Sequence, residues 1–103
     1  MSKFKSKRTI IDNINFDSKL EAAYYSHLKI LQRIGEVKFW LLQVPFLIPG
    51  GKKYLCDFLV FYTDGSYKFI DVKGIETQLF KLKKSIIEEL YCIKINIIKK
   101  GDF

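Results

Sequence analysis

The sequence predicts an α/β fold in one small domain: helix, three strands, helix, strand, around a mixed four-stranded sheet. Three observations predict it. Apolar residues recur at helical spacing in two separate windows, about residues 18–34 and 78–90. Between and after them lie runs rich in aromatic and β-branched residues, punctuated by Pro49-Gly50-Gly51 and Thr63-Asp64-Gly65. A helix falls between the third and fourth strand runs, which permits the crossover that a parallel pair needs.

Residues 1–15 read as a basic arm, with Lys3, Lys5, Lys7 and Arg8 clustered in it, and residues 16–103 as the domain. The first helix is expected over about 18–34, with Leu20, Ala23, Tyr24, Leu28, Leu31 and Ile34 on its apolar face and Gly35 as its stop. Residues 37–48 form a strand. Pro45 within it has no amide to donate, which implies an edge position or a bulge. Residues 54–62 and 66–73 are two further strands, joined as a hairpin by Thr63-Asp64-Gly65. Thr77 can cap a second helix from residue 78 to about 90, with Leu79, Leu82, Ile86 and Leu90 facing inward. Residues 92–99 are the last strand, with Ile93, Ile95 and Ile97 on one face.

With 103 residues, 49% of them hydrophobic and 28% charged, the chain can bury one core and has little room for a separate regulatory module. The longest apolar stretch, about 39–48, is interrupted by Gln43 and Pro45 and is too short to span a membrane. No apolar segment follows the basic N-terminus, so no secretory signal and a cytoplasmic setting are expected. Cys56 and Cys92 then read as buried free thiols in a reducing compartment, a disulfide between them being the less favoured alternative. The net charge of +7, from 18 basic and 11 acidic residues, favours a polyanionic partner: nucleic acid or an anionic membrane surface. Plain solubility is the simpler explanation of such a surplus.

Asp71-Val72-Lys73 is the centre of the chemical argument. Residues two apart on a strand share a face, so Asp71 and Lys73 project together. If Thr63-Asp64-Gly65 is a three-residue loop with Gly65 left-handed, Tyr62 pairs with Ser66, and counting back sets Asp57 opposite Asp71. Side chains so placed are roughly 5 Å apart. Two carboxylates at that distance repel unless a cation lies between them, and oxygen ligands beside a phosphate substrate select a hard divalent ion such as magnesium. Asp57 and Asp71, with the Val72 carbonyl, are the expected ligands, and Lys73 is placed to hold a water or to stabilise charge on a phosphoryl centre. An ordinary salt bridge is the commoner fate of a lysine beside two acids. Asp57 shifts the balance, because it interrupts a run, Leu55-Cys56 and Phe58-Leu59-Val60-Phe61, that otherwise looks buried.

Asp57, thirteen intervening residues and Asp71-Val72-Lys73 resemble the signature of the PD-(D/E)XK nuclease superfamily. The run Phe16-Asp17-Ser18-Lys19-Leu20-Glu21-Ala22, Gln43-Val44-Pro45-Phe46, and Gly74, Thr77 and Lys81 after the lysine are similar to small phage-type members related to Holliday-junction resolvases. Cys56 stands where the name-giving proline would be, and the second acid is Asp71 in place of Glu. The resemblance implies a restriction-endonuclease-like α-β-β-β-α-β core and an active nuclease using magnesium or manganese. In the host cytoplasm, if phage-encoded, it would act on DNA, with branched or junction DNA as the favoured substrate. It also implies that a first-helix glutamate, here Glu21, approaches the metal. The alternative for Glu21 is a capping box in Ser18-Lys19-Leu20-Glu21. Gln43 is placed by the resemblance near the site, against the alternative of a polar residue at a strand edge.

Lys81 and Lys84 share a helix face close to Lys73 and, with Thr77 and the arm residues Lys3, Lys5, Lys7 and Arg8, are the expected phosphate contacts, a solvated face being the alternative; the resemblance adds Gln43 to them. His27 has no triad partner and reads as structural. Symmetric cutting of two strands needs a two-fold dimer, for which exposed parts of Phe39, Trp40, Phe46 and Ile48 are the candidate interface. Within the enzyme class the runner-up is a nicking, restriction-like or transposase-type nuclease. Outside it, the alternative is a non-catalytic basic protein, nucleic-acid binder or inhibitor, in which Asp57, Asp71 and Lys73 form an ion-pair network.

Overall fold

Ser18 starts the first long helix: its hydroxyl accepts the Glu21 amide at 3.0 Å, satisfying one of the free donors of the first turn. In the computed structural model, which describes residues 8–103, that helix is α1 (Lys19–Arg33) and two short strands precede it, β1 (Thr9–Ile11) and β2 (Ile14–Phe16). Then follow β3 (Val37–Ile48), β4 (Lys52–Tyr62), β5 (Tyr67–Val72), α2 (Gln78–Tyr91) and β6 (Ile95–Ile98). The four long-range strands form one sheet in the order β3-β4-β5-β6. The first two pairs are antiparallel and β5–β6 is parallel, so the sheet is mixed as expected. Pro45 sits on the edge strand, where its missing amide costs least.

The described part of the arm is folded. β1 and β2 pair antiparallel, and Asp12 and Asn13 between them both take left-handed φ values, 52° and 64°, the geometry of a tight primed hairpin turn. Ile11, Ile14 and Phe16 pack into the core beside α1, and the Tyr25 hydroxyl donates to Asp12 at 2.8 Å. This hairpin gives α1 a second partner and rotates its inward face. Ala22 and Tyr25 are buried with Tyr24 and Leu28, whereas Ala23 and Ile34, expected inside, are exposed. Arg8 is exposed, and Lys3, Lys5 and Lys7 lie outside the described residues.

The core has two parts. Phe58, Val60, Ile70 and Val72 pack with α1, while Tyr54, Cys56 and Ile95 pack with Phe80 and Ile87 of α2. Residues of one parity on a strand face one side, yet β4 sends Phe58 and Val60 to the first cluster and Tyr54 and Cys56 to the second. The β3–β4 hairpin therefore changes face along its length, at the level of Asp57, where its pairing with β5 stops after Phe58↔Ile70.

The curled hairpin also decides which side of α2 is buried. Phe80 and Ile87 face in, while Leu79, Leu82 and Leu90, expected inside, are 59%, 59% and 51% exposed. Both stripes have helical spacing; Tyr54 and Cys56 cover the one that contains the phenylalanine. In β6, Ile95 and Ile97 face this cluster together with Ile93, as the alternation predicts. Both thiols are free, with Cys56 buried but Cys92 exposed at the end of α2. Of the residues expected to offer an interface only Phe39 is exposed; Trp40, Phe46 and Ile48 are half-buried against the core, and the outward apolar residues of β3 are Phe39, Leu41 and Leu47. No helix among the described residues is long and apolar enough to cross a membrane.

Candidate active site

The Thr63-Asp64-Gly65 loop closes as the sequence requires. The Tyr62 amide donates to the Ser66 carbonyl at 2.8 Å, and Gly65 has φ 92°, a left-handed conformation that glycine adopts without steric cost. One step beyond the last pair, Phe58↔Ile70, Asp57 is level with Asp71. There the carboxylates replace the backbone ladder. The Asp57 amide donates to Asp71 Oδ1 and the Val72 amide donates to Asp57 Oδ2, each at 2.9 Å.

The two acids then part company. Asp71 is 1% exposed, and its Oδ2 accepts the Tyr54 hydroxyl. Burial pushes its carboxyl above the usual range, opposed by the Asp57 amide and the Lys73 charge. It does not line the cleft. Asp57 does, together with Asp17, Glu21, Val72, Lys73 and Thr77, around an open space of about 640 Å³. The expected register of the acids holds. Of the two, only Asp57 lines the cleft, because level residues share a face only while both strands keep one ladder.

Glu21 takes the vacant place. It is 8% exposed, and burial, with Asp57 and then Asp17 adding like charge, pushes its carboxyl up to about 7. Ser18 caps the Glu21 amide, but among the described residues the Glu21 carboxylate makes no return bond to the Ser18 backbone. It meets Gln43 instead. Gln43 Nε2 lies 3.4 Å from Glu21 Oε2 and 3.3 Å from Asp57 Oδ1, so one neutral amide sits between two carboxylates. Gln43 reaches them from mid-strand with φ 51°, a left-handed conformation that a non-glycine residue holds at some cost.

This donor set fits a hard divalent cation. Two carboxylates converge on a single point that the protein fills only with a partial charge, and Asp17 stands at the mouth. Among the described residues no three His, Cys, Asp or Glu side chains are gathered closely enough to hold a metal ion alone. Magnesium accepts such a site, since it usually keeps several waters and takes one or two carboxylates. Glu21 and Asp57 are the side chains that would hold it, with the Val72 carbonyl as a further donor in the same wall.

Lys73 lines the same cleft. It is half-buried, its Nζ 4.7 Å from the centroid of the Phe80 ring. The ion pairs among the described residues are Lys29–Asp12, Lys84–Glu88 and Lys99–Glu76, so the salt bridge that Lys73 might have made with the two acids is not formed.

Comparison of the whole sequence with protein families gives one match, over residues 1–101, to a family described as a protein of unknown function, DUF1064. The chain belongs to the DUF1064 family. Comparison with curated proteins finds no match.

In this DUF1064 chain the lysines of α2 fall out differently from expectation. Lys81 is exposed, but Lys84 is half-buried and paired with Glu88 at 3.2 Å, so it is spoken for. Lys83 is the one that faces a pocket, with Lys53 and Lys73. Thr77 accepts the Phe80 amide at 3.1 Å, as a cap, and lines the cleft as well. His27 packs against the rings of Tyr24 and Phe103, which also touch each other, a packing position as expected. Sequence reasoning missed Asp17 and Tyr54. Asp17 had a usable signal, an acid directly before the helix cap Ser18. Tyr54 had none beyond its even spacing from Cys56 and Phe58 in a buried run.

Proposed function

We propose that this DUF1064 protein is a metal-dependent endodeoxyribonuclease with Glu21, Asp57 and Lys73 as its working groups. The observation that carries the reading is the meeting of Glu21 and Asp57 at one nitrogen of Gln43, beside an open cleft that both acids line together with Lys73. Carboxylates crowded this way, one of them pushed up to about 7, store an electrostatic cost that a cation relieves. The resemblance of Asp57…Asp71-Val72-Lys73 to the PD-(D/E)XK signature supports the same reading from the sequence side.

A bound magnesium or manganese ion would supply a nucleophilic water and neutralise phosphoryl charge. The chain does the rest. Glu21 and Asp57 would hold that cation. Lys73, held over Phe80, presents its ammonium to the negative charge that grows on the phosphoryl oxygens during attack. Asp71 acts from behind: it accepts the Asp57 amide and the Tyr54 hydroxyl, and so fixes the strand from which Asp57 projects. The net charge of +7 draws a polyanion towards a cleft that is itself acidic.

Branched DNA is the favoured substrate within this class. The described residues contain no zinc finger or helix-turn-helix to read base edges, so backbone shape is what the protein can recognise. A two-fold dimer, using the outward residues Phe39, Leu41 and Leu47, would present two clefts to opposed strands. The test is a cleavage panel of four-way junction, flap, duplex and single-stranded DNA with magnesium or manganese, with mass measured in solution. Paired symmetric nicks on the junction by a dimer are expected. Equal cutting of junction and duplex by a monomer removes the branched-DNA part. No cutting of any substrate by protein that binds the metal overturns the nuclease reading.

A further inference from the structure

On the other side of Lys73 from the acidic cleft lies a second pocket, about 390 Å³, lined by Lys53, Lys73 and Lys83 with Thr77, Leu55 and Leu79. We infer that it is a subsite for the backbone phosphate next to the one being cut, an inference that rests on the nuclease reading above. The three lysines come from three places: Lys53 from the start of β4, Lys73 from just after β5, and Lys83 from α2. No carboxylate lines the pocket, and none of the three lysines belongs to an ion pair among the described residues, whereas Lys29, Lys84 and Lys99 are each paired. Three lysines lining one pocket with no carboxylate among its lining residues make it electropositive, and an anion is what that charge attracts.

The floor narrows the kind of anion. Leu55 and Leu79 are 51% and 59% exposed there, beside Tyr54 and Phe80. An apolar floor under a cationic rim suits a phosphate that carries a sugar, since free phosphate offers nothing to bury. Continuity fixes the register. Lys73 and Thr77 line both spaces, so a strand with one phosphate at the Lys73 side of the cleft can pass directly into the pocket. The same departure of β4 from β5 that turns Asp57 into the cleft curls the hairpin over α2, where Lys53 and Lys83 line one pocket. Acidic cleft and basic pocket thus form one track, with negative groups at the scissile position and positive groups at its neighbour.

The experiment is a methylphosphonate scan. Single backbone phosphates of a DNA substrate are neutralised in turn, and binding is measured by anisotropy in calcium for wild type and for the double variant Lys53→Ala/Lys83→Ala. Neutralising one phosphate adjacent to the cut should weaken wild-type binding about tenfold, the scale of a charged hydrogen bond. The double variant should bind natural DNA about tenfold more weakly, as follows from losing the same contact. It should lose nothing further at that position, while neutralisation elsewhere adds to its loss. Additive losses at every position overturn the subsite, leaving the lysines as diffuse charge. So does loss, in the double variant, of competition by inorganic phosphate without any position-specific coupling, which makes the pocket a free-anion site. The scan reads binding alone. If no DNA is cut, the nuclease reading fails, while coupling at a single position still supports a phosphate subsite and additivity everywhere still overturns it.

Discussion

Asp57 and Asp71 stand level on neighbouring strands, and each accepts a backbone amide across the gap between them. Around Asp71 every polar need is met: Tyr54 and the Asp57 amide fill its two oxygens in a place water does not reach. Asp57 also has both oxygens bonded, Oδ2 to the Val72 amide and Oδ1 to the Gln43 amide that it shares with Glu21, but it is half-exposed, with that second carboxylate beside it and a cleft in front. Residue type does not distinguish the two regions. The departure of β4 from β5 does, because it turns one acid into the core and the other towards solvent. A fully buried, bonded carboxylate supports structure, and one that shares its donor with a second acid at a cleft is available for chemistry.

The largest effects should separate the two acids by function. Lys73→Ala and Asp57→Asn are each expected to cut DNA cleavage by at least ~100-fold, the scale of losing one preorganised charge-stabilising group. A metal at about 100 times its dissociation constant should raise wild-type stability by roughly 2.7 kcal/mol. Asp57→Asn and Glu21→Gln should abolish that rise, and Asp71→Asn should keep it. Thermal melting with and without manganese is the measurement. If Asp71→Asn loses the rise as completely as Asp57→Asn, Asp71 is a direct ligand and the contrast between the two regions collapses.

A smaller effect should separate them by stability. Asp71→Ala strands the Tyr54 hydroxyl and the Asp57 amide in the core, and an unpaired buried donor costs about 1–3 kcal/mol. A loss of about 2 kcal/mol is expected by urea unfolding of metal-free protein, with the slope unchanged. Asp71→Asn keeps the shape and one acceptor, for the Asp57 amide, while its NH2 can donate to the Tyr54 oxygen, and it should lose less than half as much. Equal losses from both substitutions would mean that the negative charge, and not the hydrogen bonding, is what the fold needs there.

The contrast also marks where the sequence could be read and where it could not. The Thr63-Asp64-Gly65 loop and the level of Asp57 with Asp71 were legible, because turn chemistry sets hairpin register locally. So were the Ser18 and Thr77 caps and the edge position of Pro45. The direction each acid takes was not, since it depends on a strand departure made by packing far away in sequence. The inward face of α2 failed for the same reason: two stripes have helical period, and the curled hairpin chooses between them. β1 and β2 were missed because three-residue strands carry almost no periodicity, although Asp12-Asn13 is a recognisable turn pair. Gln43 was weighed as an edge residue; nothing local to it announces a left-handed backbone.

pH should sharpen the contrast on the cleft side. The Glu21 carboxyl sits at about 7 against an ordinary 4.5, so between those values the folded protein holds a proton that the unfolded chain has released. Stability from this group is therefore fully present below about pH 4.5 and is lost as the pH rises to about 7. Asp57 and Asp71 are pushed the same way, while Asp12, Asp64 and Glu76 are held low and add stability as the pH rises out of strong acid. Between about pH 5 and 7 metal-free protein should melt lower as pH rises, and Glu21→Gln should flatten that slope. Manganese should reverse it, because metal binds the ionised carboxylate and displaces the proton. A slope unchanged in Glu21→Gln would assign the titration to another group.

The smallest effect isolates the backbone at the point where the two regions divide. Gln43 holds φ 51° directly across the hairpin from Asp57, between the pairs Leu42↔Phe58 and Val44↔Cys56. A left-handed conformation costs a residue with a Cβ roughly 1–2 kcal/mol, and glycine escapes that cost. Gln43→Ala and Gln43→Gly both remove the amide from between Glu21 and Asp57, so their shared loss measures the side chain. Their difference measures the strain, offset in part by the greater unfolded-state freedom of glycine. Gln43→Gly is expected to be more stable than Gln43→Ala by about 0.5–1 kcal/mol, by urea unfolding of metal-free protein. Alanine equal to or more stable than glycine would show that the strand relaxes out of the left-handed region once the amide is gone. The Glu21–Asp57 pair would then be what holds the backbone turned, and the strain at Gln43 would be a consequence of the site.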